Sequence, residues 1–317
     1  MMIVLLGLIL SPGDSLSVMF WNVENFFDWR NDSTTVSDVE FSAAGERHWT
    51  WKRFQAKANA FAKALFWVEA ETGHLPDIVG LEEVENAFVL RQVLQKTALR
   101  KLDYKYVHFD SPDRRGIDVA LLYRSSRLAL LDSKPCHLFA ADTVLATRDI
   151  LLCVFKRNSA KVAVLVNHHP SKYGGAAESE PRRRIAVERL RFLADSLAAI
   201  GIDRIIAGGD FNDTPDNPVF RLLEPALLPL HMDHFRHGLG TIKYDGKWDL
   251  IDHIYVSPAL APLTRMQILR IPFLLSRDTV HSGEKPLRTY TGPRHTGGVS
   301  DHLPVLLESA FSIENNL

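Results

Sequence analysis

The chemistry-bearing residue types are densest in the stretch 204–215. There Ile205, Ile206 and Ala207 read as a short buried strand, Gly208-Gly209 end it, and Asp210, Asn212 and Asp213 follow before Thr214-Pro215 turn the chain away. A carboxylate and a carboxamide so spaced at the carboxyl end of a strand suit hard-cation and phosphate chemistry. Such cations prefer oxygen ligands, and an Asn side chain can orient a water or a phosphoryl oxygen. Taken alone, the same residues also describe an ordinary polar turn.

The pattern recurs along the chain. Asn22 follows the apolar Val18–Trp21, and Glu83 follows Ile78–Leu81. Asp118 opens Val119–Tyr123, and His168 closes the run that begins at Val162. Asp252 sits inside Leu250–Val256, and Asp301-His302 precede Leu303–Leu307. Strand ends on one rim of a sheet gather distant positions, so acids, amides and histidines placed this way can form one site. Groups so gathered suit the same hard-cation and phosphate chemistry.

The elements that must position these groups can be read in outline. Strands are expected at Ser15–Trp21, Pro76–Leu81, several places between Tyr104 and Asn167, Trp248–Val256, Met266–Ile271 and Leu303–Leu307. Helices are expected at Glu46–Glu71, Phe88–Leu99 and Ser179–Ile200, from apolar residues at helical spacing. Asp28–Ala44 and Arg277–Gly298 read as loops. No repeat or linker-like segment divides the chain, so one domain over 15–317 is expected. Its fold class is α/β (α+β), two mixed sheets packed face to face with helices outside.

Composition sets bounds. The 317 residues carry a formal net charge of −1, which argues against a generally basic nucleic-acid coat though not against a local basic groove. Two cysteines, Cys136 and Cys153, exclude a disulfide-rich scaffold; each reads as a small buried apolar residue, with a single bridge left open. Residues 1–14 hold an apolar run too short to span a bilayer. They read as a signal-peptide remnant or an N-terminal arm, so export is favoured. A monomer without stable membrane insertion is expected.

Trp21-Asn22-Val23-Glu24-Asn25, Leu81-Glu82-Glu83-Val84, Asn167-His168, Gly209-Asp210-Phe211-Asn212 and Ser300-Asp301-His302-Leu303-Pro304-Val305 occur in the order found in the endonuclease/exonuclease/phosphatase superfamily, which the chain resembles over roughly residues 15–309. The resemblance implies a four-layer sandwich and divalent-metal-dependent phosphoester hydrolysis with Mg²⁺ or Mn²⁺. It implies Glu83 as the main metal carboxylate, with Asn22 and Asp301 completing the metal or phosphate shell. Glu82 stands where the family usually has Gln. Asp210 would activate or position the attacking water, and Asn212 would orient it or the phosphate. Asp252 would hold His302, which would act on phosphate or as a base. His168 would be a general acid near the leaving oxygen. A pairing of Asp118 with His168 is our own reading of the sequence.

Substrate contacts are expected from Arg115 and Asp118, from Ser171 and Lys172 in a Gly-rich turn, and from Arg184 where an arginine run opens a helix. Arg288 and Tyr290 lie in a loop leading to Asp301 and read as a clamp, or as a structured connection. Phe26, Phe27 and Trp29 read as core or as base-stacking residues. His169 reads as a surface residue. The expected substrate is nucleic acid or a nucleotide, with a small or lipid phosphoester as the alternative.

Overall fold

The computed structural model describes residues 15–31, 35–171 and 175–310, and of 176–178 the backbone alone. The first strand explains the layering. In β1 (Ser15–Phe26), Val18 and Phe20 face one side, Met19, Trp21 and Val23 face the other, and all five are buried. A strand apolar on both faces must lie between two layers. Val18 and Phe20 join the core between the sheets; Met19, Trp21 and Val23 pack beneath helices.

Sheet one has the order β15 (Thr264–Ile268), β20 (Val305–Ala310), β1, β2 (Ile78–Val84), β4 (Asp118–Arg124), β3 (Tyr104–His108). Sheet two has the order β11 (Leu228–Pro229), β14 (Asp252–Val256), β10 (Ile205–Asp210), β9 (Ala160–His168), β8 (Ile150–Arg157), β5 (Ala129–Cys136). Each sheet is antiparallel except for one central parallel pair, β1 with β2 and β9 with β10. Four hairpins complete the strands: β6–β7 (Phe139–Ala140, Thr143–Val144), β12–β13 (Ile242–Tyr244, Lys247–Asp249), β16–β17 (Leu275–Arg277, Glu284–Pro286) and β18–β19 (Tyr290–Thr291, Arg294–His295).

Helices α2 (Trp51–Thr72) and α3 (Ala87–Lys96) cover sheet one through Phe54, Phe61, Leu65 and Leu90. Helix α4 (Ala176–Ala199) covers sheet two through Val187, Leu190 and Ala194. Short helices α1 (Val36–Glu40) and α5 (Met232–Arg236) lie in connections. The result is helices, sheet, sheet, helix, as expected.

Phe20 fills the space between the sheets where two glycines approach it. A Cβ on Gly208 would sit 2.4 Å from its ring, and one on Gly80 2.5 Å from it. Gly208 and Gly80 are therefore glycines because two strand backbones close on one aromatic ring.

Some boundaries differ from the sequence reading. β1 runs on through Asn22 to Phe26, and β2 runs through Glu82-Glu83 to Val84; both carry register breaks there. Bulges let a strand continue while re-aiming side chains, which periodicity does not reveal. Helix α2 begins at Trp51, because the Thr50 hydroxyl accepts from the Arg53 N–H and caps it. The 277–298 segment is not structureless but holds β17, β18 and β19. Cys136 and Cys153 are both free, on paired strands but out of register: Cys136 faces Ile150 and Cys153 faces Ser133. The 1–14 segment lies outside the described residues.

Candidate active site

Strand register assembles the centre. Asp210, last in β10, has His168 beside it on the parallel β9 and Asp252 beside it on the antiparallel β14. Across the sandwich, Asn22 on β1 pairs with Glu82 on β2. Asn22 Nδ2 donates to Asp210 Oδ2 at 3.0 Å and so joins the two sheets. Asn212 donates to Asp210 twice, from its backbone N–H at 2.8 Å and from Nδ2 at 3.2 Å. His302 Nδ1 lies 2.9 Å from Asp252 Oδ2, and its Nε2 lies 3.9 Å from Asp210 Oδ2. The 300–302 turn is stapled to β1, since Ser300 Oγ donates to the Asn22 carbonyl at 2.6 Å and Trp21 Nε1 to the His302 carbonyl at 3.0 Å.

The two histidines take opposite charge states. Burial works against a charged His302, but the charge and hydrogen bond of Asp252, then the charges of Asp210 and Asp301, outweigh it and hold the imidazole well above its ordinary value. His168 is held well below, by burial first and then by the nearby cations Arg148 and Arg115. Its Nε2 lies 3.5 Å from Asp210 Oδ2, while Nδ1 has no hydrogen-bond partner among the described residues. Burial and these flanking cations work against the general acid that the resemblance implied at His168, since that role needs a protonated imidazole. Burial raises Asp210 to about 7; His302 opposes that shift and Asp252 adds to it.

Glu83 and Asp301 stand on the open side. Glu83 Oε2 accepts from the Asn25 N–H at 2.8 Å, and Oε1 is engaged only loosely, 3.5 Å from Arg115 Nη2 and 3.9 Å from His168 Nε2. Asp301 Oδ2 accepts from Arg288 Nη2 at 2.9 Å. Its Oδ1 lies 3.9 Å from His302 Nε2. Glu24, Asn25, Glu83 and Asn212 all have φ between +47° and +66° around this rim. Left-handed backbone is cheap for Asn but costs Glu on the order of 1 kcal/mol or more, and such strain concentrates at functional sites. Glu83 Oε1 and Asp301 Oδ1 are held only loosely, and the Asn22 amide oxygen, which accepts from the Glu24 N–H at 2.9 Å, keeps a second lone pair; such oxygen donors are the type a hard divalent ion takes.

Glu82, which stands where the family usually has Gln, is fully buried, neither of its oxygens has a hydrogen-bond partner among the described residues, and burial followed by the charges of Asp252 and Asp210 raises it well above the carboxylate range. Burial thus favours its neutral form and disfavours a second negative charge beside Glu83. Gly209 makes room for it, since a Cβ there would lie 2.6 Å from Glu82 Oε1. Lys57 and Arg148 were not singled out in the sequence. Lys57, buried on α2, donates to the Glu24 carbonyl and to Thr289 Oγ1. Arg148, also buried, donates to Asp113 Oδ2 at 3.0 Å and to the His169 carbonyl at 2.7 Å. Apolar flanks on α2 masked Lys57, and no periodic signal marks Arg148.

The expected substrate contacts divide. Arg115 and Ser171 are exposed near the rim, and Arg288 bridges Glu24 and Asp301. Lys172 lies outside the described residues. Asp118 does not pair with His168; it accepts from the Ser111 N–H at 2.9 Å and lies 3.1 Å from His108 Nε2. β4 places it opposite Val84 in sheet one, whereas His168 ends β9 in sheet two. His108, Asp110 and Asp118 offer ligand atoms within 4.8 Å of one another, an acidic group apart from the catalytic rim. Arg184 is exposed, and the buried arginine of its run is Arg183, 3.1 Å from Asp213 Oδ2. Tyr290 is buried and donates to the Arg47 carbonyl at 2.8 Å, so its hydroxyl is already committed. Phe26 and Phe27 are core, and Trp29 packs on Phe54 and Phe88, which leaves none of them as a free stacking surface. His169 is buried against Phe211, not on the surface.

The sequence signature of the Endonuclease/Exonuclease/phosphatase family matches residues 17–310. The chain belongs to this family. It is a metal-dependent phosphoester hydrolase. No curated protein sequence matches the chain. Among solved structures it resembles the human Nocturnin catalytic domain with bound sulfate, at 18% identity and a TM-score of 0.60, covering 94% of this chain and 95% of that one. It also resembles D. rerio TDP2 complexed with a single-strand DNA product, at 16% identity and a TM-score of 0.55, covering 93% and 98%. A mannosyl-6-phosphatase from Bacteroides thetaiotaomicron matches at 16% identity and a TM-score of 0.59, covering 92% and 98%. At these identities the likeness establishes the fold. Among the described residues no helix is long and apolar enough to cross a membrane.

Proposed function

We propose that this family member is a nuclease-like phosphodiesterase that cleaves by in-line attack of water on phosphorus. The observation that carries the reading is the Asp252–His302–Asp210 arrangement: a cationic imidazole held by one buried carboxylate and set beside a second whose pKa is raised to about 7. A base near neutrality is matched to taking a proton from water at physiological pH. Asn22 and Asn212 fix the Asp210 carboxylate from opposite sides, and neutral His168 steadies it from β9. His302 faces the phosphoryl oxygens as a fixed positive charge. Glu83, Asn22 and Asp301 would hold Mg²⁺ or Mn²⁺, which supplies positive charge for the nonbridging and leaving oxygens. Arg288, Arg115 and Ser171 border the approach.

A nucleic-acid or nucleotide substrate is supported by the Arg- and Lys-bearing concavity beside His302 and by the likeness to a TDP2 bound to single-strand DNA. The likeness to a mannosyl-6-phosphatase supports a second reading, a small phosphoester handled by the same groups. The apolar run near the start of the chain supports export, and we read the enzyme as a monomer. The test is hydrolysis of plasmid DNA, RNA, bis-p-nitrophenyl phosphate and sphingomyelin with Mg²⁺ or with EDTA, for wild type and His302→Ala. EDTA-sensitive nicking of DNA that disappears in the variant is expected. Turnover of the small diester or lipid alone would overturn the nuclease reading, and silence on all four would overturn the phosphodiesterase.

A further inference from the structure

The concave surface does not stop at the catalytic rim. A cavity of about 460 Å³ runs outward from Asp301 and His302. That lies within the range of about 300–1,000 Å³ usual for small-molecule sites. Residues of three hairpins, β12–β13, β16–β17 and β18–β19, line it together with the chain that follows them. The hairpins belong to neither large sheet, and apart from buried residues such as Tyr290 and Pro286 they present side chains to this cavity.

The cations along this cavity are not equally committed. Arg288 is divided between Glu24 and Asp301. Lys243 lies 3.0 Å from Asp278, and Lys285 lies 3.6 Å from the same carboxylate. Arg294 is exposed, and no ion pair engages it among the described residues. Thr291 and Thr296 line the same cavity, which has Asp301 as its one acidic lining residue. Thr296 Oγ1 already donates to the Arg288 and Thr289 carbonyls, so beyond Asp301 the wall offers the Thr291 hydroxyl and the Arg294 guanidinium with its donors available. That combination selects an anion, and a guanidinium suits a phosphate in particular because it can donate two parallel hydrogen bonds.

We infer that Arg294, with Thr291, forms a subsite for a second phosphate, so that the preferred substrate carries another phosphate beside the one being cleaved. This rests on the phosphodiesterase reading. The second phosphate could be the next linkage of a nucleic-acid strand or part of a small bisphosphate.

The test compares two chromogenic diesters that differ in one group: the p-nitrophenyl ester of thymidine 5′-phosphate with a free 3′-hydroxyl, and the same ester with a 3′-phosphate. Wild type with Mg²⁺ should prefer the 3′-phosphorylated ester by about tenfold in kcat/KM, the order expected of one charge-assisted contact. Arg294→Ala should erase that preference and leave turnover of the other ester within about twofold. No preference in wild type, or one that survives the substitution, overturns the subsite. If neither ester is cleaved, the phosphodiesterase reading fails separately, and binding decides the subsite. Fluorescence anisotropy of a labelled eight-residue thymidine oligonucleotide in EDTA should then weaken about tenfold in Arg294→Ala; unchanged or absent binding overturns the proposal. Competition separates the sources. Displacement by propane-1,3-diyl bisphosphate shows that a phosphate pair suffices, and displacement by unlabelled oligonucleotide alone shows that a strand is needed.

Discussion

His168 and His302 stand on either side of the same carboxylate, 3.5 Å and 3.9 Å from Asp210 Oδ2, and yet are held in opposite charge states. Burial disfavours charge on both. What separates them is the next neighbour: Asp252 faces His302, and Arg148 and Arg115 surround His168. Around one Asp the β14 side is thus built to keep a proton and the β9 side to refuse one. Residue type says little about a histidine's role; the sign of the charge behind it says more.

The largest expected effect is at His302. His302→Gln should lower kcat by about 10³-fold, within the range for losing a positioned acid–base or charge-stabilising group. His168→Gln keeps a neutral hydrogen-bonding side chain and should cost only about tenfold, the scale of a positioning residue. Equal losses in steady-state assays would break the comparison.

A pH series sharpens it. Asp210 must be ionised to take a proton, so kcat/KM should fall as pH drops through about 7. Stability should respond in the same direction for a different reason, at two buried histidines outside the catalytic pair, His169 after β9 and His231 against β14. His169 and His231 are buried and held down at about 3, by burial first. A depressed histidine contributes stability above its unfolded value of 6.5, and that stability is lost as pH falls toward the folded value. Each should therefore remove up to about 1.4 kcal/mol per pH unit in that window. Urea melts from pH 7 to pH 5 should show a falling midpoint, and a flat profile would contradict neutral burial.

The smallest effect is expected at Glu82. Because its carboxyl is already neutral, Glu82→Gln should leave kcat/KM within about twofold and the melting temperature unchanged or raised. A large loss of activity would mean that Glu82 works as an anion.

The sequence carried the architecture well because its signal is local. Two-faced apolar strands such as Val18–Trp21, helical spacing from Phe54 to Val68, and polar residues just past apolar runs are all written in neighbouring positions. Bulges at Asn22–Phe26 and Glu82–Val84, and the hairpins of 284–295, were not legible, since an extra residue in a strand and a two-residue strand leave no period to detect.

Residue order and type, with the family resemblance they carry, were enough to single out Glu83, His168, Asp210, Asp252 and His302 as candidates for one phosphoester-cleaving set. Only the tertiary structure decided what each faces. It gave Asp118 to His108, committed the Tyr290 hydroxyl to Arg47, buried Glu82 without a partner, and set His168 and His302 in opposite charge states. The reason is physical. Protonation and hydrogen bonding depend on desolvation and on charges a few ångströms away in space, and those neighbours come from strands far apart in the chain.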